Sequence, residues 1–298
     1  MTDTELDARD LAPVADPSLS AAAPSVDRVT VIRPAPRWPH LDLRELWHYR
    51  ELLVTLAWRD IAVRYKQTSI GVAWAILQPL LMMVVFTLIF GKFGNFPSKG
   101  LQYQIFTYSA LLPWVYFASS VNLASASLVA NRGLVTKVYF PRVLMPLAGV
   151  VVPLVDFVFA FGVLVALWAW YHRWPDATIV VAPLFLAMAL VTALGVGLFL
   201  AAVNVRYRDV AYTIPFLMQL WMFLSGVFYA FSALPEWAQL VLAVNPMTTV
   251  IDGFQWGTLG THPPELDKAM ISVGATATVF VVGLWYFRRS EPRFADTI

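Results

Sequence analysis

LMPLAGVVVPLVDFVFAFGVLVALWAWY, residues 144–171, holds one charged residue in 28 positions, Asp156. At 1.5 Å per residue a helix of that length covers about 40 Å, more than the roughly 30 Å hydrocarbon core of a bilayer. Downstream, IVVAPLFLAMALVTALGVGLFLAAV (179–203) has no charge at all. Comparable apolar blocks lie at about 69–90, 103–128, 212–231 and 270–287. The pattern predicts an all-α integral membrane protein with six transmembrane helices. Composition agrees: 59% of the 298 residues are hydrophobic and 13% charged, about half the charged share of a soluble domain.

Working outward, the charges report orientation. With a cytosolic N-terminus, the inside segments hold 17 of the 21 basic residues, leaving Lys92, Lys99, Arg173 and Lys268 outside. The positive-inside bias therefore predicts a multi-pass membrane protein with an even number of spans and both termini cytosolic. A net charge of +2 is too weak to suggest nucleic acid as a partner. With no cysteine, disulfides, thiolate chemistry and sulfur-ligated metals are excluded. Residues 1–42 are acidic, Ala/Pro-rich and lack a signal-peptide pattern, and read as a disordered cytosolic tail.

Residues 43–68 read as an amphipathic helix at the cytoplasmic interface, and 69–298 as the six-span domain. Arg44, His48, Glu51, Thr55, Arg59 and Lys66 recur at helical spacing, with Leu46, Tyr49, Leu53, Leu56 and Val63 on another face. The same spacing would suit a helix packed on a soluble domain, but the chain offers none. Between spans five and six, residues 232–267 are too long and apolar for a simple loop. Two short helical stretches parted by Asn245 and Pro246 suggest a re-entrant helical hairpin over a conduit, or else two interfacial helices that only pack.

Little in the sequence supports catalysis. The one Gly-Lys pair, Gly91-Lys92, has Phe86 where a Walker A glycine should stand, and Phe93 follows it. Histidines 40, 48, 172 and 262 are scattered, so no metal site is expected, and no G-x-S-x-G elbow occurs. Asp156 is the clear intramembrane acid. At mid-bilayer it would cost about 2.5–3.5 kcal/mol unless partnered, so it either bonds a neighbouring helix or lines a path. Ion-coupled transport usually needs several such groups. What remains are basic cytoplasmic segments suited to receiving force from a separate ATPase. NRGLVTKVYFPRVLMP (131–146) is the strongest, although by composition it could be any positive loop. Arg206, Tyr207, Arg208 and Asp209 form a second cluster that reads as an orientation and capping element.

RDIAVRYKQTSIGVAWAILQP (59–79), LVTKVYFPRVLMPLAGVVVPLVDF (134–157), NVRYRDV (204–210), NPMTTVIDGFQWGTLG (245–260) and the tail EPRFADTI resemble the permease subunits of type-2 ABC exporters of polysaccharides. That family includes exporters of O-antigen, teichoic acid and capsule, and the resemblance runs from about Leu43 to the end of the chain. It implies a permease homodimer in a 2+2 complex with a separate ATP-binding cassette subunit, which binds ATP and Mg; this chain needs no cofactor of its own. A lipid-linked glycan would pass along the dimer interface, among membrane lipids.

By the same resemblance, Asn131, Arg132, Lys137, Tyr139, Phe140 and Arg142 couple to the ATPase, and Arg59, Arg64, Tyr65 and Lys66 belong to the cytoplasmic gate. Trp237, Asn245, Pro246, Asp252 and Trp256 match the outer gate. Sugars pack their C–H faces on flat rings, and spans one and five line the channel in the family. Trp74, Trp221, Phe228 and Tyr229 therefore rank above Trp114, Tyr116, Phe117 and Phe223 as conduit aromatics, although half of such residues could be an interfacial belt. The rival readings are a type-2 ABC permease for drugs or lipids, an ion-coupled secondary transporter, and a membrane enzyme acting on lipid-linked sugars.

Overall fold

A computed structural model describes residues 43–66 and 72–294, and every regular element among them is helical. Near the N-terminus, α1 (Leu43–His48) and α2 (Arg50–Lys66) precede α3 (Val72–Phe86), whose last turns widen into a π-helix over Thr87–Phe93. After it come α4 (Tyr103–Ala130), α5 (Arg132–Lys137), α6 (Leu144–Val151), α7 (Pro153–Trp170) and α8 (Ala182–Arg206). The last four are α9 (Val210–Phe223), α10 (Glu236–Ala243), α11 (Pro246–Leu259) and α12 (Leu266–Ser290). The expected tail (1–42) and the ends of the interface helix and of EPRFADTI lie outside the described residues.

Five stretches are long and apolar enough to cross a membrane: Val72–Phe93, Tyr103–Ala130, Leu144–Trp170, Ala177–Arg206 and Leu266–Arg293. The expected fifth span, 212–231, is different. Its helix α9 has 14 residues, about 21 Å long, and stops where the chain turns at Leu224 and Gly226 takes a left-handed φ of 76°. The chain nonetheless runs the length of the bundle. Asn204, just before α9, donates to the Ser125 carbonyl near the far end of α4 at 3.0 Å. Ala230 N–H donates to Pro97 O at 3.3 Å, and Tyr103 at the start of α4 donates to Phe228 O at 2.7 Å. Residues 225–228, which complete this passage without a helix, are buried in protein. Non-helical backbone in a membrane protein is tolerated in such surroundings and not against lipid.

The bundle is organised around α4, which packs on α3, α6, α7, α8, α9 and α11. Its most apolar window is 61% buried, against 17% for α3, which therefore lies at the periphery. Close backbone approach replaces bulky interdigitation at two seams. A Cβ on Gly149 of α6 would stand 2.7 Å from the Ala124 nitrogen of α4, and one on Gly195 of α8 would stand 2.7 Å from the Phe280 Cα of α12. Gly283 faces Gly195 so closely that a Cβ there would overlap the Gly195 carbonyl oxygen. Small residues of this kind let apolar helices gain dispersion contacts and hydrogen bonds where lipid removes any hydrophobic drive between them. Thr192 and Thr276 add a hydroxyl contact of 3.3 Å across the α8–α12 seam.

Gly283→Val should therefore lower the unfolding midpoint of the detergent-solubilised protein, followed by tryptophan fluorescence, at an overpacking cost of about 1–3 kcal/mol. Gly274→Ala, on the same helix with open space around its Cβ position, should leave the midpoint unchanged or slightly raised. Equal effects from the two would sink the close-packing account.

Candidate functional site

α2 carries the residues that close one end of a cavity. Leu56 and Ala57 are buried in it, and Leu46, Tyr49, Leu52 and Leu53 pack with Leu56 on a cluster containing Phe140, Leu144, Ala148 and Phe287. Segregation of its faces is incomplete, because Trp47, Val54, Trp58 and Val63 stay exposed beside the charged positions. At the end of α2, Arg64 Nη1 lies 2.8 Å from Asp156 Oδ2, and the Tyr65 hydroxyl donates to Asp156 Oδ1. Asp156 thus bonds a neighbouring helix and lines a cavity. Burial first, then the Asp156 hydrogen bond and charge, push the Tyr65 phenol above its usual range, so it remains a hydrogen-bond donor at any physiological pH.

The cavity, about 440 Å³, lies between α2, α3, α4 and α7, within the size range of small-molecule sites. Trp74, Gln78 and Pro79 of α3 form one wall, Val115, Tyr116 and Ser119 of α4 another, and Pro153, Asp156 and Phe157 of α7 a third. Its surface is mostly apolar, with a guanidinium, a carboxylate, a phenol and an amide at defined places. That set can bind an amphiphile with a polar head. Gln78 was not singled out from sequence, yet an amide one turn after Trp74 in an apolar run was a readable signal.

The remaining sequence-derived positions fall into separate places. Trp74 is 53% exposed at the cavity. Phe228, by contrast, is buried at 2% among Phe86, Phe90 and Phe223 and forms part of the core. Trp221 is partly buried, and its indole N–H donates to Asn245 Oδ1 at 2.8 Å, while the Tyr229 hydroxyl donates to Phe223 O. Asn245 caps α11 by accepting from Met247 N–H at 3.1 Å, and its amide donates to Leu224 O and Ser225 Oγ, both at 3.0 Å. One side chain therefore fastens the broken end of α9 to the start of α11, where Pro246 is buried. Trp237 on α10 is 71% exposed, Trp256 meets the Phe185 ring edge-on, and Asp252 pairs with Lys99 at 2.5 Å.

At the α2 end, Arg59 donates to Asn131 Oδ1 at 2.7 Å and also pairs with Asp60. Arg132, Lys137 and Tyr139 are exposed around α5, whereas Phe140 is buried at 4% and Arg142 donates to the Glu291 carbonyl. Lys66 is exposed at the close of α2.

A multi-pass helical bundle with a head-group-sized cavity and an exposed basic patch at one end has the form of a membrane transport domain. Residues 51–259 match the family described as "ABC-2 type transporter", and this chain belongs to that family, on the branch of polysaccharide export permeases. It is a transporter permease and not an enzyme; ATP hydrolysis in such systems lies in a partner subunit. It is 32% identical over 264 residues to the O-antigen export system permease protein RfbA of Myxococcus xanthus, covering 86% of this chain and 98% of the relative. A Klebsiella pneumoniae protein of the same name is 28% identical over 252 residues, covering 83% and 95%. The capsule polysaccharide export inner-membrane protein CtrC of Neisseria meningitidis serogroup A is 27% identical over 254 residues, covering 81% and 92%.

Removing the carboxylate should loosen α2. Asp156→Ala should raise amide hydrogen exchange across the second half of α2 by at least several-fold, and Asp156→Asn, which keeps an acceptor for Tyr65, should raise it less. Exchange that is the same in both variants and the wild type would show that α2 is held without this contact.

Proposed function

We propose that this chain is the transmembrane subunit of an ATP-driven exporter that moves a lipid-linked polysaccharide across the bacterial inner membrane. The observation that carries the reading is the cavity rimmed by Arg64, Asp156 and Trp74, in a chain whose relatives are named as O-antigen and capsule export permeases. Its apolar surface fits an acyl or prenyl chain, the Trp74 ring offers a face for sugar C–H groups, and the paired Arg64 and Asp156 with Gln78 and Tyr65 offer hydrogen bonds to the hydroxyls of a polar head.

Two copies act with two ATP-binding subunits that hold ATP and Mg, and the glycan passes between the copies. The positive-inside bias assigns the α2 and α5 end to the cytosol, and α9 with residues 224–230 completes a sixth crossing. α10 and α11, about 12 and 21 Å long, are each too short to cross and form the re-entrant cap over the outer exit. ATP binding closes the partner subunits, and α5 transmits that movement through Asn131 and Arg59 to α2, which opens the cavity.

Affinity purification from cells expressing the neighbouring genes should recover a separate ATP-binding subunit with ATPase activity, and lipid-linked glycan should stimulate it. Lys137→Glu and Tyr139→Ala, both exposed, should reduce that stimulation at least tenfold with the fold intact. Arg142→Glu should in addition lower stability, because its guanidinium holds the Glu291 carbonyl. A clean permease without a co-purifying ATPase, or unchanged stimulation in the first two variants, would overturn the exporter reading or the docking assignment respectively.

A further inference from the structure

A second cavity of about 470 Å³ lies at the opposite end of the bundle from α2, bounded by α10, α11, the start of α12 and the loop before α4. Its polar wall is made of Lys99, Gln239, Asp252, His262, Glu265 and Lys268, and Phe231 supplies an aromatic wall. Lys99 Nζ lies 2.5 Å from Asp252 Oδ1. Lys268, only 6% exposed, donates to Gln239 Oε1 and Glu265 Oε2, both at 2.5 Å. Each lysine is thereby neutralised by one carboxylate, so the wall carries little net charge despite its four ionic groups.

This arrangement discriminates between ligand classes. An anion entering to meet Lys99 or Lys268 would also meet the carboxylates of Asp252 and Glu265, so a phosphate gains little. A neutral polyol suffers no such conflict. Its hydroxyls donate to carboxylate oxygens and accept from ammonium N–H groups. Lys268 has a third N–H beyond those it donates to Gln239 and Glu265, and Asp252 Oδ2 and Glu265 Oε1 accept no hydrogen bond among the described residues. A pyranose ring also presents C–H faces to Phe231.

We infer that this cavity is a binding site for a neutral pyranose unit, at the far mouth of the molecule from the α2 cavity. The inference rests on the exporter reading only for the side of the membrane and for the source of the sugar. That source is either the exported chain as it emerges or a free saccharide of the outer compartment.

The test uses the full chain in lipid nanodiscs and saturation-transfer NMR with the methyl pyranosides of glucose, galactose and mannose. At least one should give a signal that inorganic phosphate does not compete away. His262→Ala and Phe231→Ala, whose side chains make no hydrogen bond among the described residues, should weaken binding at least tenfold with the unfolding midpoint unchanged; Asp252→Asn should weaken binding as well and lower the midpoint, because it leaves Lys99 without its carboxylate. No pyranoside signal, a signal untouched by all three variants, or equal competition by phosphate would overturn the site. A photo-crosslinking residue replacing His262 then separates the sources. Glycan captured only in cells with the active ATPase identifies the exported chain, and capture of externally added saccharide without it identifies a free sugar. Pyranoside binding without ATP-driven export would remove the exporter reading and leave this site; export without pyranoside binding would do the reverse.

Discussion

A carboxylate half-way along an apolar helix is the constraint that shapes the functional end of this molecule. Asp156 sits in the middle of the span that runs from α6 through α7, and isolated there its charge would be among the most costly features of the chain. The protein answers with Arg64 and Tyr65, brought from a helix that does not itself cross. The pairing has a geometric consequence. To reach Asp156, the end of α2 must fold against the bundle at the depth of α7, which seals one side of the cavity. Arg64 is 41% accessible in this pair and Asp156 15%. The contact places the end of α2 against α7 and gives the cavity its polar corner.

Elsewhere stability comes from closeness of backbone. Gly149, Gly195 and Gly283 allow α4, α6, α8 and α12 to approach at distances no side chain would permit, and hydroxyls and amides supply bonds across the seams. Gln255 of α11 donates to the Phe106 carbonyl at 3.1 Å, and Tyr108 donates to the Ala160 carbonyl at 2.9 Å. These bonds tie α11 and α7 to the central α4. Less buried α3 and α9 present Leu81, Val84, Val85, Phe216 and Leu220 outward, the surfaces that face lipid or another subunit.

Much of this was legible from hydropathy because the signal that makes a span, about 20 apolar residues in a row, is local. The break between α10 and α11 was also legible, since Asn245 and Pro246 are a cap followed by a first-turn proline. The early end of α9 was not. Residues 224–230 are as apolar as the helix before them, and only Gly226 hints at the turn; what stabilises it is a distant set of partners, Pro97, Tyr103 and Asn245. For the same reason the sequence did not disclose that Trp221 donates to Asn245 or that Phe228 is a packed ring. An aromatic in an apolar segment carries no sign of which way it faces. Lys268 was counted only as an outward charge, because nothing nearby in sequence discloses Gln239, 29 residues away.

Under the proposed function, the contacts at the α2 end make the path of force short. α5 begins where α4 ends, and Asn131 stands at that junction, bonded to its own helix through Ser127 O at 2.9 Å and to α2 through Arg59 at 2.7 Å. A push on the exposed Lys137 and Tyr139 therefore meets α4, which is buried and braced on six neighbours, and α2, which is held mainly by its apolar contacts and Asp156. The softer of two connected bodies moves. Displacement of α5 is thus converted into displacement of α2, the wall that closes the cavity, while the core around α4 keeps its packing.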